Sequence, residues 1–199
     1  MRKKKALSSK EFFNLLRTRT SKNAKKMDEA IWERSSCEMT VVVCDSSGFS
    51  KKTHRYGIIH FLDNFTKCHD EFEKTIKKYG GRTISTKADN FISIFKKTED
   101  AVKFSVKMIE YLNKRNKRVS DIKQFNLCAG IHYGKFLKFT DDIYGAAVNV
   151  AFKLGEDIAG KNDIFLTHDA NDRVKAEIKT KYVKTVKIGG KSFKLYRPI

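Results

Sequence analysis

Two aspartates stand where residue type and spacing could do chemistry. Asp45 closes the apolar run Thr40-Val41-Val42-Val43-Cys44 and opens the turn Ser46-Ser47-Gly48-Phe49-Ser50. Asp89 lies in a hairpin-like stretch that starts at Gly80-Gly81 and runs to Phe91. A carboxylate at a strand end can hold a hard cation while the N–H groups of the next turn face phosphates. A second carboxylate on a neighbouring strand would complete a two-metal site for phosphoryl chemistry. Such a site clamps triphosphate oxygens and neutralises developing charge. The phosphate contacts would come from the backbone of Ser47, Gly48 and Phe49, with Gly48 allowing close approach. Either aspartate alone reads as a turn or cap residue. The pair in this setting points to metal.

A third segment runs from Asp142 to Leu154. If it is one helix, Gly145, Asn149 and Lys153 recur every four residues and share a face. An amide and an ammonium one turn apart suit a ribose or a phosphate, with Lys153 countering transition-state charge. An ordinary solvated helix face is the competing reading.

These residues need elements to hold them. Ser9 offers an N-cap to an amphipathic helical segment over 9–34, whose stripe of Phe12, Phe13, Leu15, Leu16, Met27, Ile31 and Trp32 is expected to pack on the domain or on a partner subunit. A buried strand is predicted over 39–45. Apolar spacing predicts a helix from Gly57 to about Lys78, ended by Gly80-Gly81. Strands over 82–87 and 90–95, a helix over 98–113, a strand over 123–132 and another over 134–139 follow. A helix over 143–158 precedes strands near 163–166, 181–187 and 192–197. The order β-α-β-β-α-β is that of a ferredoxin-like α+β fold, an antiparallel sheet backed by helices. One compact domain over 39–199 sits behind an N-terminal helical extension over 1–38. That fold hosts many functions and decides none.

The 199 residues suffice for one domain with a sizeable core. No apolar run approaches the ~20 residues of a membrane span, and no secretory signal is expected. Cys37, Cys44, Cys68 and Cys128 form no metal-binding or disulfide framework, which fits a reducing cytoplasm. The net charge of +19 could attract nucleic acid, an anionic membrane surface or a nucleotide. Its 32 lysines and 10 arginines are spread along the chain, so most of it reads as solvated surface. The five histidines, His54, His60, His69, His132 and His168, lack ligand spacing and are read as structural.

From Thr40 to Leu195 the chain resembles the class III nucleotidyl cyclases, the catalytic domains of adenylate and guanylate cyclases. Asp45-Ser46-Ser47-Gly48-Phe49-Ser50 is similar to the first metal motif of that family. Gly80-Gly81 through Asp89 is similar to the second. Asp142 through Leu154 resembles the helix Asp-x-x-Gly-x-x-Val-Asn-x-Ala-x-Arg-Leu. The resemblance implies two divalent ions, Mg²⁺ or Mn²⁺, on Asp45, Asp89 and the Ser46 carbonyl. It implies attack of the ribose 3′-hydroxyl on the α-phosphorus with loss of pyrophosphate. Asn149 would orient the ribose, and Lys153 stands where the family has a transition-state arginine. Lys187 or Lys191 would bind the triphosphate. A head-to-tail homodimer with composite sites is implied, because the arginine and the metal aspartates of related enzymes lie on opposite subunits.

The base-reading positions depart from the family. Adenylate cyclases carry a lysine where this chain has Ser85, and an aspartate where it has Asp142. Serine cannot supply the charge or reach of lysine, although Lys87 lies on the same strand face and could substitute. Guanylate cyclases carry glutamate and cysteine at these positions, and neither is present. Ala30-Ile31-Trp32-Glu33, Tyr56-Gly57-Ile58-Ile59-His60-Phe61-Leu62, Lys87-Ala88-Asp89-Asn90 and Lys153-Leu154-Gly155-Glu156-Asp157 resemble a bacterial subgroup of short, stand-alone cyclases. That subgroup includes the pyrimidine cyclases of anti-phage signalling, which make cyclic UMP or cyclic CMP. A pyrimidine substrate is the expectation, with Arg55 or Tyr56 as candidate base contacts or as a surface turn. The alternatives are an adenylate cyclase using Lys87 and Asp142, a degenerate nucleotide-binding module, and an RNA binder of related topology. Against the RNA binder, the strand 39–45 has no aromatic to stack on a base.

Overall fold

The computed structural model describes residues 6–87, 89–174 and 176–199, with Lys87 described in its backbone alone. Two helices, α1 (Ser9–Arg17) and α2 (Ala24–Ser35), lead into β1 (Ser36–Ser46). Then come α3 (Phe49–Tyr56), α4 (Ile58–Lys78), β2 (Arg82–Lys87), β3 (Asn90–Phe95) and α5 (Thr98–Asn116). After a 3₁₀ turn, Asp121–Lys123, the chain forms β4 (Leu127–Lys138), the two-residue β5 (Ile143–Tyr144) and α6 (Ala146–Phe152). A π-helical turn, Lys153–Ile158, continues α6 before β6 (Ile164–Thr167), α7 (His168–Val174), β7 (Thr180–Ile188) and β8 (Lys191–Pro198).

The sheet order is β2-β3-β1-β4-β6-β8-β7, with β5 paired to β4. Its first four strands are mutually antiparallel and in ferredoxin-like order, as the α+β reading expects. The β4–β6 pair is parallel, a departure from an all-antiparallel sheet. Parallel neighbours need a crossover, and α6 with its π turn provides it.

β1 explains the layering. Val42 and Cys44 face a core with Phe72 and Ile76 of α4 and Phe104 and Met108 of α5. Val41 and Val43 face the opposite side and pack with Ala147, Val148 and Ala151 of α6. A strand covered on both faces reads as an unbroken apolar run, as this one does. Each fully buried phenylalanine here, Phe72, Phe91, Phe95 and Phe104, contributes about 1.5–3 kcal/mol by burial. Val41, Val42, Val43, Phe91 and Phe95 are all buried, so they are not presented for base stacking, the feature the RNA-binding alternative needs.

Several boundaries differ from expectation. Residues 49–56, for which no helix is expected from the sequence, form the helix α3, which buries no side chain and so leaves no apolar stripe in the sequence. The two strands expected over 123–132 and 134–139 are one, because the pairing of β4 with β1 runs unbroken from Leu127 to Leu137. The helix expected over 143–158 is three pieces: β5, the seven-residue α6 and the π turn. Ser8, not Ser9, caps α1, in a capping box with Glu11. Ser9 instead donates to Asp141 at 2.6 Å through its hydroxyl and at 2.7 Å through its N–H.

The N-terminal helices pack on the domain edge. Leu7, Phe12 and Ile31 cluster with Phe139 beyond β4, and the Phe12 and Phe139 rings stack at 4.6 Å. Arg19 joins the two helices by a bidentate bond to Asp28 at 2.8 and 2.7 Å. Among the described residues no helix is long and apolar enough to cross a membrane.

Candidate active site

Asp45 is the penultimate residue of β1 and Asp89 sits in the turn between β2 and β3. The antiparallel register pairs Cys44 with Phe91, so the strand end and the turn meet. The Ser46 hydroxyl donates to Asp89 Oδ2 at 3.0 Å. By strand alternation Asp45 shares the face of Val41 and Val43 and so points to the layer of α6 and its π turn. Burial pushes the Asp45 carboxyl up to about 7. The charges of Asp89 and Glu156 add to the rise, as does a hydrogen bond with Asp89, against a smaller opposing bond from the Ser46 backbone. Two crowded carboxylates resist joint ionisation unless a cation neutralises them. The donors are hard oxygens, the set that suits Mg²⁺ or Mn²⁺. Among the described residues no group of three or more His, Cys, Asp or Glu converges as a complete ligand set. The pair therefore fits divalent ions that take their other oxygens from the main chain and a triphosphate.

The phosphate-facing turn needs one correction. The Ser47 N–H already donates to the Asn126 carbonyl at 3.0 Å, so it is not free for a phosphate. Gly48 is left-handed at φ 87° and caps α3, a conformation glycine adopts without strain. The first backbone bond of α3 runs from Lys52 N–H to the Gly48 carbonyl. The N–H groups of Phe49 and Ser50 therefore have no partner within the helix. The Phe49 ring plays no part there, being packed edge-on against Phe61 at 4.7 Å.

A cavity of about 860 Å³ lies beside α6. Asn149, Lys191, His132, His168, Asp169 and Arg173 are among its walls. Lys191 lines it and Lys187, on the exposed edge of β7, does not. Neither Asp45 nor Asp89 lines it. Within one chain the carboxylates and the Asn149 wall are thus separate.

The four-residue spacing of Gly145, Asn149 and Lys153 holds in the backbone: the Asn149 N–H donates to the Gly145 carbonyl and the Lys153 N–H to the Asn149 carbonyl, and the wider π turn runs on from Lys153. Lys153 lies outside the cavity, exposed and bonded to Asp157 at 2.5 Å. The Asp157 contact raises the pKa of Lys153 and keeps it cationic.

The base-reading candidates are scattered. Ser85 is half-buried on β2 opposite Ile92. The Lys87 side chain lies outside the described residues. The Asp142 carboxylate is held by the Ile143 N–H and the Tyr144 hydroxyl, both at 2.8 Å, and it does not line the cavity. Tyr56 closes α3 beneath Arg55, in a small cleft with Lys52, His60 and Asn64. It shares no cleft with Ser85 or Asp142, so the structure does not group it with them.

Sequence reasoning missed Glu156 beside the carboxylates and the polar wall around His132. His132 is buried, its Nδ1 2.8 Å from the Thr167 hydroxyl, with its ring edge-on to Phe193. Burial lowers its pKa to about 4, against a smaller opposing pull from Asp169. A histidine depressed in the folded state binds more protons when unfolded. Its contribution is present above its unfolded value and is lost as pH falls from about 6.5 to about 4, worth roughly 3 kcal/mol. Asp45, raised in the fold, works in the opposite direction over the same window. The readout is therefore the melting temperature of wild type minus that of His132→Gln, which is expected to shrink between about pH 7.5 and about pH 5. A pH-independent difference would refute it.

With this geometry in hand, known proteins place the chain. Residues 33–197 match the family model of the adenylate and guanylate cyclase catalytic domain. The chain belongs to that family and is a class III nucleotidyl cyclase domain, a nucleotide-cyclising lyase. No curated protein sequence matches it. An adenylate/guanylate cyclase/hydrolase from Silicibacter pomeroyi superposes with a TM-score of 0.73 at 17% identity, covering 82% of this chain and 97% of that one. The guanylate cyclase domain of RhGC from Catenaria anguillulae, solved with GTP, gives 0.69 at 17%, covering 83% and 96%. The adenylyl cyclase CyaB from P. aeruginosa gives 0.69 at 19%, covering 82% and 95%. At these identities the structures show the shared fold.

Proposed function

We propose that the protein converts a pyrimidine nucleoside triphosphate, UTP or CTP, to its 3′,5′-cyclic monophosphate and pyrophosphate. The observation that carries the chemistry is the crowded Asp45–Asp89 pair, whose raised Asp45 calls for a cation. Divalent ions there would lower the barrier to deprotonating the 3′-hydroxyl and offset charge on the phosphates. The O3′–Pα bond forms, the bond from Pα to the bridging oxygen of pyrophosphate breaks, the pyrophosphate leaves with that electron pair, and the hydroxyl proton passes to water. Asp45 and Asp89, with the Ser46 carbonyl, would hold the ions. The α3 N-terminus at Gly48 and Phe49 donates to the phosphates. From a second subunit in a head-to-tail homodimer, Asn149 orients the ribose, Lys191 holds the triphosphate and Lys153 meets transition-state charge. Lys153 does so once it exchanges Asp157 for the substrate.

Base choice rests on Ser85, which lacks the reach of the lysine that adenylate cyclases carry. The resemblance to short stand-alone bacterial cyclases supports a cytoplasmic signalling enzyme of anti-phage defence. An adenylate cyclase is the second reading, favoured by the presence of Asp142 ahead of α6. Incubating the purified protein with each of the four nucleoside triphosphates and Mn²⁺, then resolving the products, separates them. Turnover of UTP or CTP at least about tenfold above ATP is expected, a ratio that a few contacts to the base can supply. A cyclic AMP product in excess would establish the second reading, and nucleotide binding without any product a degenerate module.

A further inference from the structure

The π turn that continues α6 packs on β1, the strand that bears Asp45. Asn90 Nδ2 donates to Glu156 Oε1 at 2.5 Å. Asn90 is the first residue of β3 and follows Asp89, so this bond fixes the exit of the turn that carries Asp89. The Asn90 amide oxygen is buried without a partner, which leaves the Glu156 bond to orient the group. The seat of Glu156 is itself constrained. A Cβ on Gly155 would stand 2.6 Å from the Val43 carbonyl oxygen, so the turn rests on the backbone of β1 with no room for a side chain. Cys128 Sγ donates to the Gly155 carbonyl at 3.2 Å and lies 3.5 Å from the Asp45 carbonyl oxygen. The π turn is thereby registered against the strand end that bears Asp45, and it reaches across to the turn that bears Asp89.

We propose that Glu156 is a positioning residue. Through Asn90 it holds the Asp89 turn so that both carboxylates face one cation site, without being a ligand itself. The proposal rests on the metal-dependent reading above. Groups that orient metal ligands are worth about 10–100-fold in metal affinity. A glutamine at 156 keeps an acceptor for Asn90 while losing the charge, so it separates position from electrostatic attraction.

The test is Mn²⁺ binding to the full-length protein without nucleotide, read from the electron paramagnetic resonance signal of the free ion. Glu156→Ala and Asn90→Ala are expected to weaken binding about tenfold, and Glu156→Gln to stay within about threefold of wild type. Wild-type affinity in Asn90→Ala would overturn the proposal. So would a Glu156→Gln as weak as Glu156→Ala, since charge alone would then account for the effect. Should Glu156→Ala fail to fold, Asn90→Ala and Glu156→Gln still decide between these outcomes. Asp45→Ala and Asp89→Ala serve as controls. If they bind Mn²⁺ as wild type does, the metal reading itself fails, a result distinct from failure of the Glu156 link.

Discussion

Asp45→Ala and Asp89→Ala are each expected to lower cyclase activity by about a thousandfold or more, because either change removes half of the charge that holds the ions. Neither should unfold the protein. Both carboxylates are only part-buried at the sheet end, and Asp45 is raised first by burial and then by repulsion from Asp89 and Glu156. Removing one member relieves that repulsion while the apolar core of β1 is untouched. The metal response carries the more telling measurement. An ion that binds only the folded state at about a hundred times its dissociation constant stabilises by roughly 2.7 kcal/mol. For a domain of this size that raises the melting temperature by about 5–10 °C. Mn²⁺ is expected to produce this shift in wild type and not in either variant. A variant that keeps both the fold and the shift, yet loses turnover, would place the ions elsewhere.

The parts of this site that were legible in the sequence are those set by burial and by chain punctuation. The run Val41-Val42-Val43-Cys44 is apolar because both sheet faces are covered, and its end marks Asp45. The break at Gly80-Gly81 and the short strands after it mark Asp89. The parts that were not legible depend on register or on geometry without a residue signature. α3 buries no side chain, so nothing apolar announced it. The shift to π geometry at Lys153 changes which side chains share a face. Counting by fours from Gly145 therefore holds as far as Lys153 and gives no reason to place Glu156 near Asp45. The fate of Ser47 was equally hidden, because its N–H partner, the Asn126 carbonyl, lies far along the chain. Lys191 and Lys187 look alike as letters. Only the turn between β7 and β8 sets one of them at the cavity mouth.

Mixing Asp45→Ala subunits with Asn149→Ala subunits is expected to restore activity that neither variant has alone. The expectation follows from the separation of the half-sites: the cavity that Asn149 and Lys191 line excludes both carboxylates of the same chain. A head-to-tail dimer would bring each cavity to the carboxylates of the other subunit, giving two equivalent sites. In a mixed dimer one site takes its carboxylates from the Asn149→Ala chain and its Asn149 from the Asp45→Ala chain, and is whole. The other site carries both lesions. With random exchange half of the dimers are mixed and each has one working site of two, so about a quarter of wild-type activity should return. A site built within one chain predicts none, since every chain in the mixture is defective. Size-exclusion chromatography and differently tagged subunits would establish that mixed dimers had formed. Silence in confirmed mixed dimers would then mean that a rearrangement within one chain carries Asn149 to the carboxylates, and the cavity beside α6 would have to be reassigned.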